Sequence, residues 1–175
     1  MLRVGDRAPD FTLKGYFQGK VEDYSLRSFQ GQWLILFFYP ADFTFICPTE
    51  VVGFSKLAGE FRAEKAEILG LSVDSIESHR KWAAELGGVN YPLLSDEQKQ
   101  VSRAYDALNE REGVSFRATF VINPAGEISY IVVSPKNVGR SVEETLRVLK
   151  ALRTDQLCPS DWHPGEPTGP LDLKY

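Results

Sequence analysis

The chain has 175 residues, 43% of them hydrophobic and 25% charged, with a net charge of −4. These values fit one globular domain with a single core, exclude a largely disordered chain and offer no basic footprint for nucleic acid. No apolar run of about 18 residues occurs, so no membrane-spanning helix is expected; Met1–Phe11 lacks a signal-peptide apolar core, and a cytoplasmic protein is expected.

Residues 1–32 read as an N-terminal β segment, in which Asp10-Phe11-Thr12-Leu13 alternates and Gly15, Gly19 and Gly31 mark turns. Trp33 to Tyr39 is nearly continuous apolar sequence, the pattern of a strand covered on both faces. Phe54, Leu57, Ala58 and Phe61 then follow helical spacing, and Ile68 to Val73 is a second buried strand. Together they predict a right-handed β-α-β unit with parallel strands.

Asp74-Ser75 precede a predicted helix from Glu77 to Leu86, stopped by Gly87-Gly88. Tyr91 to Leu94 reads as a short extended piece, and Ser95-Asp96 caps a further helix through Tyr105. Arg117 to Ile122 and Glu127 to Val133 predict a hairpin around Asn123-Pro124-Ala125-Gly126. Ser141 and Glu144 form a capping box for the last helix, whose apolar face is Leu146, Leu149 and Leu152. Beyond Arg153 the chain turns rich in proline and glycine and reads as an irregular tail that docks on something else. The expected fold class is α/β: a thioredoxin-like central mixed sheet flanked by helices, with an N-terminal β extension and a C-terminal tail. The expected division is residues 1–153 as the folded domain and 154–175 as the tail. The strand pattern alone also fits a flavodoxin-like sheet.

The chain holds two cysteines, Cys47 and Cys158. In a reducing compartment such thiols are more often catalytic or redox-active than structural. Cys47 ends the loop that follows the first buried strand, and Pro48 fits the first helical position, where a missing N–H costs nothing. A thiol at a helix start gains free N–H groups and a partial positive charge, both of which favour its anion. A buried, inert core cysteine is the competing reading. Thr44 and Pro40 favour the reactive one: a hydroxyl three residues earlier can accept from a substrate and donate to sulfur, and a proline over the site can keep water out.

Pro40-Ala41-Asp42-Phe43-Thr44-Phe45-Ile46-Cys47-Pro48-Thr49-Glu50 resembles the active-site segment of the typical 2-Cys peroxiredoxins, including the alkyl hydroperoxide reductase C subunit. The family's P-x-x-x-T-x-x-C pattern falls on Pro40, Thr44 and Cys47. Its strand-opening arginine falls on Arg117, the glutamate three residues after the cysteine on Glu50, and the arginine of a G-R-S triplet on Arg140. Its C-P-x-x-W segment falls on Cys158-Pro159-Ser160-Asp161-Trp162, and the similarity runs from Val4 to Gly165.

The resemblance implies a peroxidase that reduces hydrogen peroxide and organic hydroperoxides. Cys47 would attack peroxide and become a sulfenic acid, Thr44 would align the substrate, and Arg117 would stabilise the leaving oxygen. Glu50 would orient the arginines, and Arg140 would support Arg117. Cys158 of the partner subunit would resolve the sulfenic acid as an intersubunit disulfide within a homodimer, five of which assemble to a decamer. The implied reductant is thioredoxin, a flavoprotein reductase or a small disulfide adaptor; no cofactor, metal, nucleic acid or membrane is implied. Ala107 to Val114 lacks the G-G-L-G insertion of easily overoxidised members, and no Tyr-Phe pair ends the sequence, so Cys47 is expected to resist overoxidation. A thioredoxin-type dithiol mechanism would need a second cysteine where Glu50 stands. A ring-forming holdase and a one-cysteine route, in which an external thiol resolves Cys47, are two further readings of the same residues. His79 and His163 have no ligand spacing. His79 is expected to be an exposed helix residue, and Trp82 a packing residue.

Overall fold

The computed structural model describes residues Met1 to Leu173. They form two compact units, the first from Met1 to Arg140 and the second from Ser141 onward.

The first unit is built on a seven-stranded mixed sheet in the order β2-β1-β5-β4-β3-β8-β9. The strands are β1 (Thr12–Phe17), β2 (Lys20–Ser25), β3 (Trp33–Phe38), β4 (Ala66–Ser72), β5 (Leu93–Ser95), β8 (Arg117–Ile122) and β9 (Ile128–Ser134). β3, β4 and β5 run parallel; β1 joins β5 and β8 joins β3 antiparallel, and β9 pairs antiparallel with β8. The β1–β2 hairpin turns on Gln18 and Gly19, both at positive φ, the geometry whose twist suits a two-residue hairpin.

The continuous apolar run of β3 reflects cover on both faces. Leu34, Leu36 and Phe38 join Leu69, Leu71, Leu94, Tyr105 and Phe120 in one core. Phe37, on the opposite face, stacks on Phe54 of α1 (Cys47–Ala63) with ring centroids 4.4 Å apart. Its register partner on β4 is Gly70, where an added Cβ would lie 2.8 Å from the Phe37 ring. Only a residue without a side chain permits this approach. Val51, Phe54, Ala58 and Phe61 form the buried stripe of α1, which ends where Lys65 takes a left-handed φ of 57°.

α2 (Ile76–Glu85) is capped by Ser75, whose hydroxyl accepts from the Ser78 N–H at 3.1 Å. It ends before Gly87 and Gly88, both at positive φ. The helix expected from Ser95-Asp96 through Tyr105 is shorter: α3 spans Gln100–Ala104. Asp96 does accept from the N–H groups of Val101 and Ser102, at 3.3 and 2.7 Å, but Lys99 intervenes with a φ of 61°. The carboxylate thus reaches across a turn instead of sitting next to the first helical residue. A two-residue ladder, β6 (Leu108–Asn109) with β7 (Val114–Ser115), is an element too short for periodicity to reveal. The expected β8–β9 hairpin forms, with Asn123 Oδ1 accepting from the N–H groups of Ala125 and Glu127.

The second unit holds α4 (Val142–Arg153) and the segment after it. The Ser141 hydroxyl caps α4 by accepting from the Glu144 N–H at 3.1 Å. The tail is more ordered than its composition suggests. Leu157 and Gly169 exchange two backbone hydrogen bonds, the Trp162 indole donates to the Glu166 carbonyl at 3.1 Å, and Trp162 is buried.

Candidate active site

Cys47 is itself the first residue of α1, with Pro48 second, one position earlier than the proline suggested. No side chain caps this helix start; the preceding Ile46 already has helical angles. Because Cα–Cβ bonds tilt toward the helix N-terminus, the sulfur is carried back to the positive end of α1. It is fully buried.

The antiparallel pairing of β3 with β8 places Arg117 at the start of β8, beyond the register partner of Phe38. Arg117 Nη1 donates to Cys47 Sγ at 3.3 Å and to Glu50 Oε2 at 3.2 Å, while its Nε donates to the Lys136 carbonyl at 2.8 Å. Glu50, one helical turn after the cysteine, also takes Arg140 Nη2 at 3.0 Å on Oε2 and the Arg140 backbone N–H at 2.9 Å on Oε1. Arg140 in turn donates to the Ala118 carbonyl, the Thr119 hydroxyl and the Phe38 carbonyl, and its guanidinium carbon lies 5.3 Å from the Phe37 ring centroid. Burial pulls Arg140 below the usual guanidinium range, opposed by the adjacent Glu50.

All four groups are withdrawn from water: the Arg117, Arg140 and Glu50 side chains are 3%, 1% and 2% exposed, and Cys47 is not exposed at all. With a neutral thiol the cluster holds two positive charges and one negative. Ionised sulfur makes it electrically neutral, the arrangement a water-excluded site favours. The cluster therefore places a guanidinium N–H beside the sulfur, a donor arrangement that can stabilise negative charge developing there.

The sequence-predicted residues do not all converge. Cys47, Glu50, Arg117 and Arg140 meet as described. Pro40 is buried at the start of the loop after β3. Thr44 is exposed and its hydroxyl donates to the Ala41 carbonyl at 3.1 Å, so the bond to sulfur expected from the spacing is not made. Cys158 lies in the second unit. Its thiol is 3.4 Å from the Thr154 hydroxyl and donates to the Ala151 carbonyl at 3.7 Å. Both cysteines are free.

The expectation for His79 is overturned. It is fully buried and bonded to Asp42, not exposed. The signal was present in the sequence: His79, Trp82 and Ala83 share the i, i+3, i+4 face that α2 buries. Trp82 is packing, as expected, with its ring 5.6 Å from that of Tyr39.

Comparison with known proteins agrees with this geometry. Residues 4–131 match the AhpC/TSA family model. The chain is 45% identical to the mitochondrial thioredoxin-dependent peroxide reductase of Homo sapiens, over 94% of this chain and 68% of that one. Reduced 2-Cys peroxiredoxin of Plasmodium vivax superposes with a TM-score of 0.90 at 34% identity, covering 94% and 91% of the two chains. AhpC of Mycobacterium tuberculosis superposes with a TM-score of 0.85 at 38% identity, covering 93% and 99%. The thioredoxin-like mixed sheet, the motif around Cys47 and these relatives lead to one conclusion: the chain belongs to the AhpC/TSA family and is a peroxiredoxin of the AhpC type, a thiol-dependent peroxidase.

Proposed function

We propose that Cys47 is the peroxide-reacting thiol and that hydrogen peroxide and organic hydroperoxides are its substrates. The observation that carries this reading is Arg117 Nη1 at 3.3 Å from Cys47 Sγ, inside a charge cluster that ionised sulfur neutralises. The thiolate attacks one peroxide oxygen in line; an S–O bond forms as O–O breaks. The electron pair leaves on the distal oxygen, which takes up a proton and departs as water or an alcohol. Sulfur is oxidised to sulfenic acid and the peroxide is reduced. Arg117 stabilises the charge on the leaving oxygen. Glu50 holds Arg117 from behind with two-oxygen contacts to the arginine pair, and Arg140 braces Glu50. Thr44 exchanges its Ala41 partner for the substrate and aligns it, while Pro40 screens the sulfur from water.

In the second half of the cycle, the Cys158 thiol of the partner subunit attacks the sulfenic sulfur. An S–S bond forms and water leaves. An external dithiol then returns two electrons; thioredoxin is the first donor to test, given the name of the human relative, with a flavoprotein reductase or a small disulfide adaptor next. The assembly is a homodimer that builds to a decamer, in the cytoplasm. Residues 154–175 form the tail that delivers Cys158.

Purified protein, peroxide and candidate reductants in a coupled assay test this, read against Cys47→Ser and Cys158→Ser. Cys47→Ser abolishes turnover. Cys158→Ser keeps one equivalent of peroxide consumption but gives no covalent dimer on a non-reducing gel. A Cys47→Ser variant that still turns over peroxide, or a wild-type protein oxidised without a dimer band, overturns the corresponding half of the cycle.

A further inference from the structure

The loop that delivers Cys47 carries one carboxylate, Asp42, and that carboxylate is buried. A buried carboxylate needs donors. Asp42 Oδ1 accepts from the Tyr39 hydroxyl at 2.8 Å, and Oδ2 accepts from the Ser78 hydroxyl at 2.8 Å and lies 2.7 Å from His79 Nδ1. His79 Nε2 is 2.8 Å from the Leu94 carbonyl oxygen. Nε2 therefore faces a carbonyl oxygen that can only accept, and Nδ1 faces a carboxyl oxygen, with the Tyr39 hydroxyl, whose proton goes to Asp42, farther off at 3.5 Å. A neutral imidazole has one N–H and one lone pair, and with Asp42 ionised either tautomer would set that lone pair against an acceptor. Against an ionised Asp42 the contacts are satisfied together only by an imidazolium with two N–H groups; a neutral imidazole would require the Asp42 carboxyl to carry the proton. Tyr39 serves as donor throughout, because burial and Asp42 push its phenol well above the usual range.

These bonds tie the loop to α2 and to the ends of β4 and β5. The Asp42 N–H donates to Asp74 Oδ2 at 2.9 Å, and Asp74 also accepts from the Ser72 hydroxyl at 2.6 Å. The next loop residue, Phe43, has a left-handed φ of 57°, uncommon for a bulky side chain, and its ring lies 6.3 Å from that of Trp82. The loop is thus held at two successive residues by the buried face of one helix, five positions before the reactive sulfur.

We propose that His79 and Asp42 form a buried imidazolium–carboxylate pair that positions Cys47 for reaction: the pair fixes the 40–46 loop and so keeps the sulfur at the start of α1 against Arg117. The inference rests on Cys47 being the peroxide-reacting thiol. Its second consequence concerns the same loop: a sulfenic acid reaches a distant thiol only when the loop lets go, so the pair also restrains disulfide formation.

The test uses the full-length reduced protein. The chain has two histidines, so nitrogen NMR with His163→Gln as the assignment control isolates the His79 ring. At neutral pH both ring nitrogens give protonated-type shifts with slowly exchanging N–H signals; one unprotonated nitrogen overturns the proposal. In stopped-flow measurements His79→Gln and Asp42→Asn each slow Cys47 oxidation by peroxide about tenfold and speed the later disulfide step. The double variant, in which an amide faces an amide, recovers at least threefold over either single. An unchanged oxidation rate in His79→Gln, or strictly additive losses, overturns the pairing. Failure of the underlying assignment looks different: the wild-type Cys47 itself would not react with peroxide. The NMR measurement needs no variant at positions 42 or 79 and stands even where those variants do not fold.

Discussion

Arg117 and Cys47 meet across 70 positions of sequence through one guanidinium nitrogen, which contacts the sulfur at 3.3 Å and Glu50 at 3.2 Å. The nitrogen that Glu50 orients through one hydrogen has its other hydrogen available to the sulfur. A lysine in its place offers a compact charge without the planar fork that reaches Glu50, the sulfur and the Lys136 carbonyl together. Arg117→Lys is expected to lower the second-order rate of Cys47 oxidation by about 10²-fold, and Arg117→Ala by about 10³-fold, the scale of losing a preorganised donor. Stopped-flow oxidation of reduced protein measures both; a lysine variant within twofold of wild type would show that the contact does not act on the chemistry.

Glu50 compensates two buried guanidinium groups at once. Its replacement by glutamine leaves both guanidinium groups in place without the carboxylate that pairs with each of them. Removing one partner of a buried pair costs on the order of 3 kcal/mol, so Glu50→Gln is expected to lower unfolding free energy by about that amount in a urea titration monitored by far-UV circular dichroism. Glu50→Gln combined with Arg140→Met removes one of the stranded cations, and part of the loss returns. A single variant as stable as wild type would show that the cluster carries no net electrostatic load.

The parts of this architecture written in local pattern were legible in the sequence. The β3 run, the buried stripe of α1, the Ser75 and Ser141 caps and the Asn123 turn each follow from residues within one or two turns of each other. The four-membered cluster around Cys47 was legible only through its resemblance to a family, because nothing local links Arg117 or Arg140 to position 47; β-sheet register brings them there. Three features escaped. The short α3 depended on a left-handed Lys99 that propensity does not announce. Thr44 had the right spacing but spends its hydroxyl on Ala41. His79, expected on the exposed side of its helix, lies inward on the face it shares with Trp82 and Ala83.

In the second unit, Arg147 joins α4 to the tail. It holds both Glu144 oxygens, at 2.6 and 2.7 Å, and donates to the Trp162 carbonyl at 2.9 Å. Hydrogen bonding from Arg147 keeps the Glu144 carboxyl below the usual carboxylate range. The sign follows directly: a depressed carboxylate contributes stability above the unfolded-chain value of about 4.3, and that contribution fades as pH falls through the lower folded value. The Glu144 side chain is 44% exposed, so solvent screening keeps the contribution below about 1 kcal/mol. Amide exchange protection at 157–169, corrected for intrinsic rates, should be flat from pH 7 to 5 and decline below pH 4. Arg147→Ala should remove the decline. Protection that rises on acidification would contradict the linkage.

Cys158 is restrained by its own helix. The Thr154 hydroxyl donates to the Ala151 carbonyl at 2.7 Å, and the single S–H of Cys158 has two acceptors in reach, the Thr154 hydroxyl oxygen at 3.4 Å and, more distantly, the Ala151 carbonyl at 3.7 Å. The cysteine lines a cleft of about 440 Å³ with Val148, Leu152 and Leu171. A thiol occupied as a donor and seated in this cleft must leave both before it can attack a sulfenic acid. Thr154→Val keeps the shape of the side chain and removes the hydroxyl. One weak hydrogen bond to sulfur is worth about 0.5–1 kcal/mol, so the disulfide step should accelerate about two- to fivefold, with the preceding peroxide step unchanged. A sulfenic acid captured sooner has less time to meet a second peroxide, so the variant should accumulate less sulfinic acid at Cys47 during turnover with reductant. Rapid-quench mass spectrometry reads both quantities in one experiment, and a variant that forms disulfide more slowly while remaining folded would show that Thr154 helps Cys158 leave instead of holding it back.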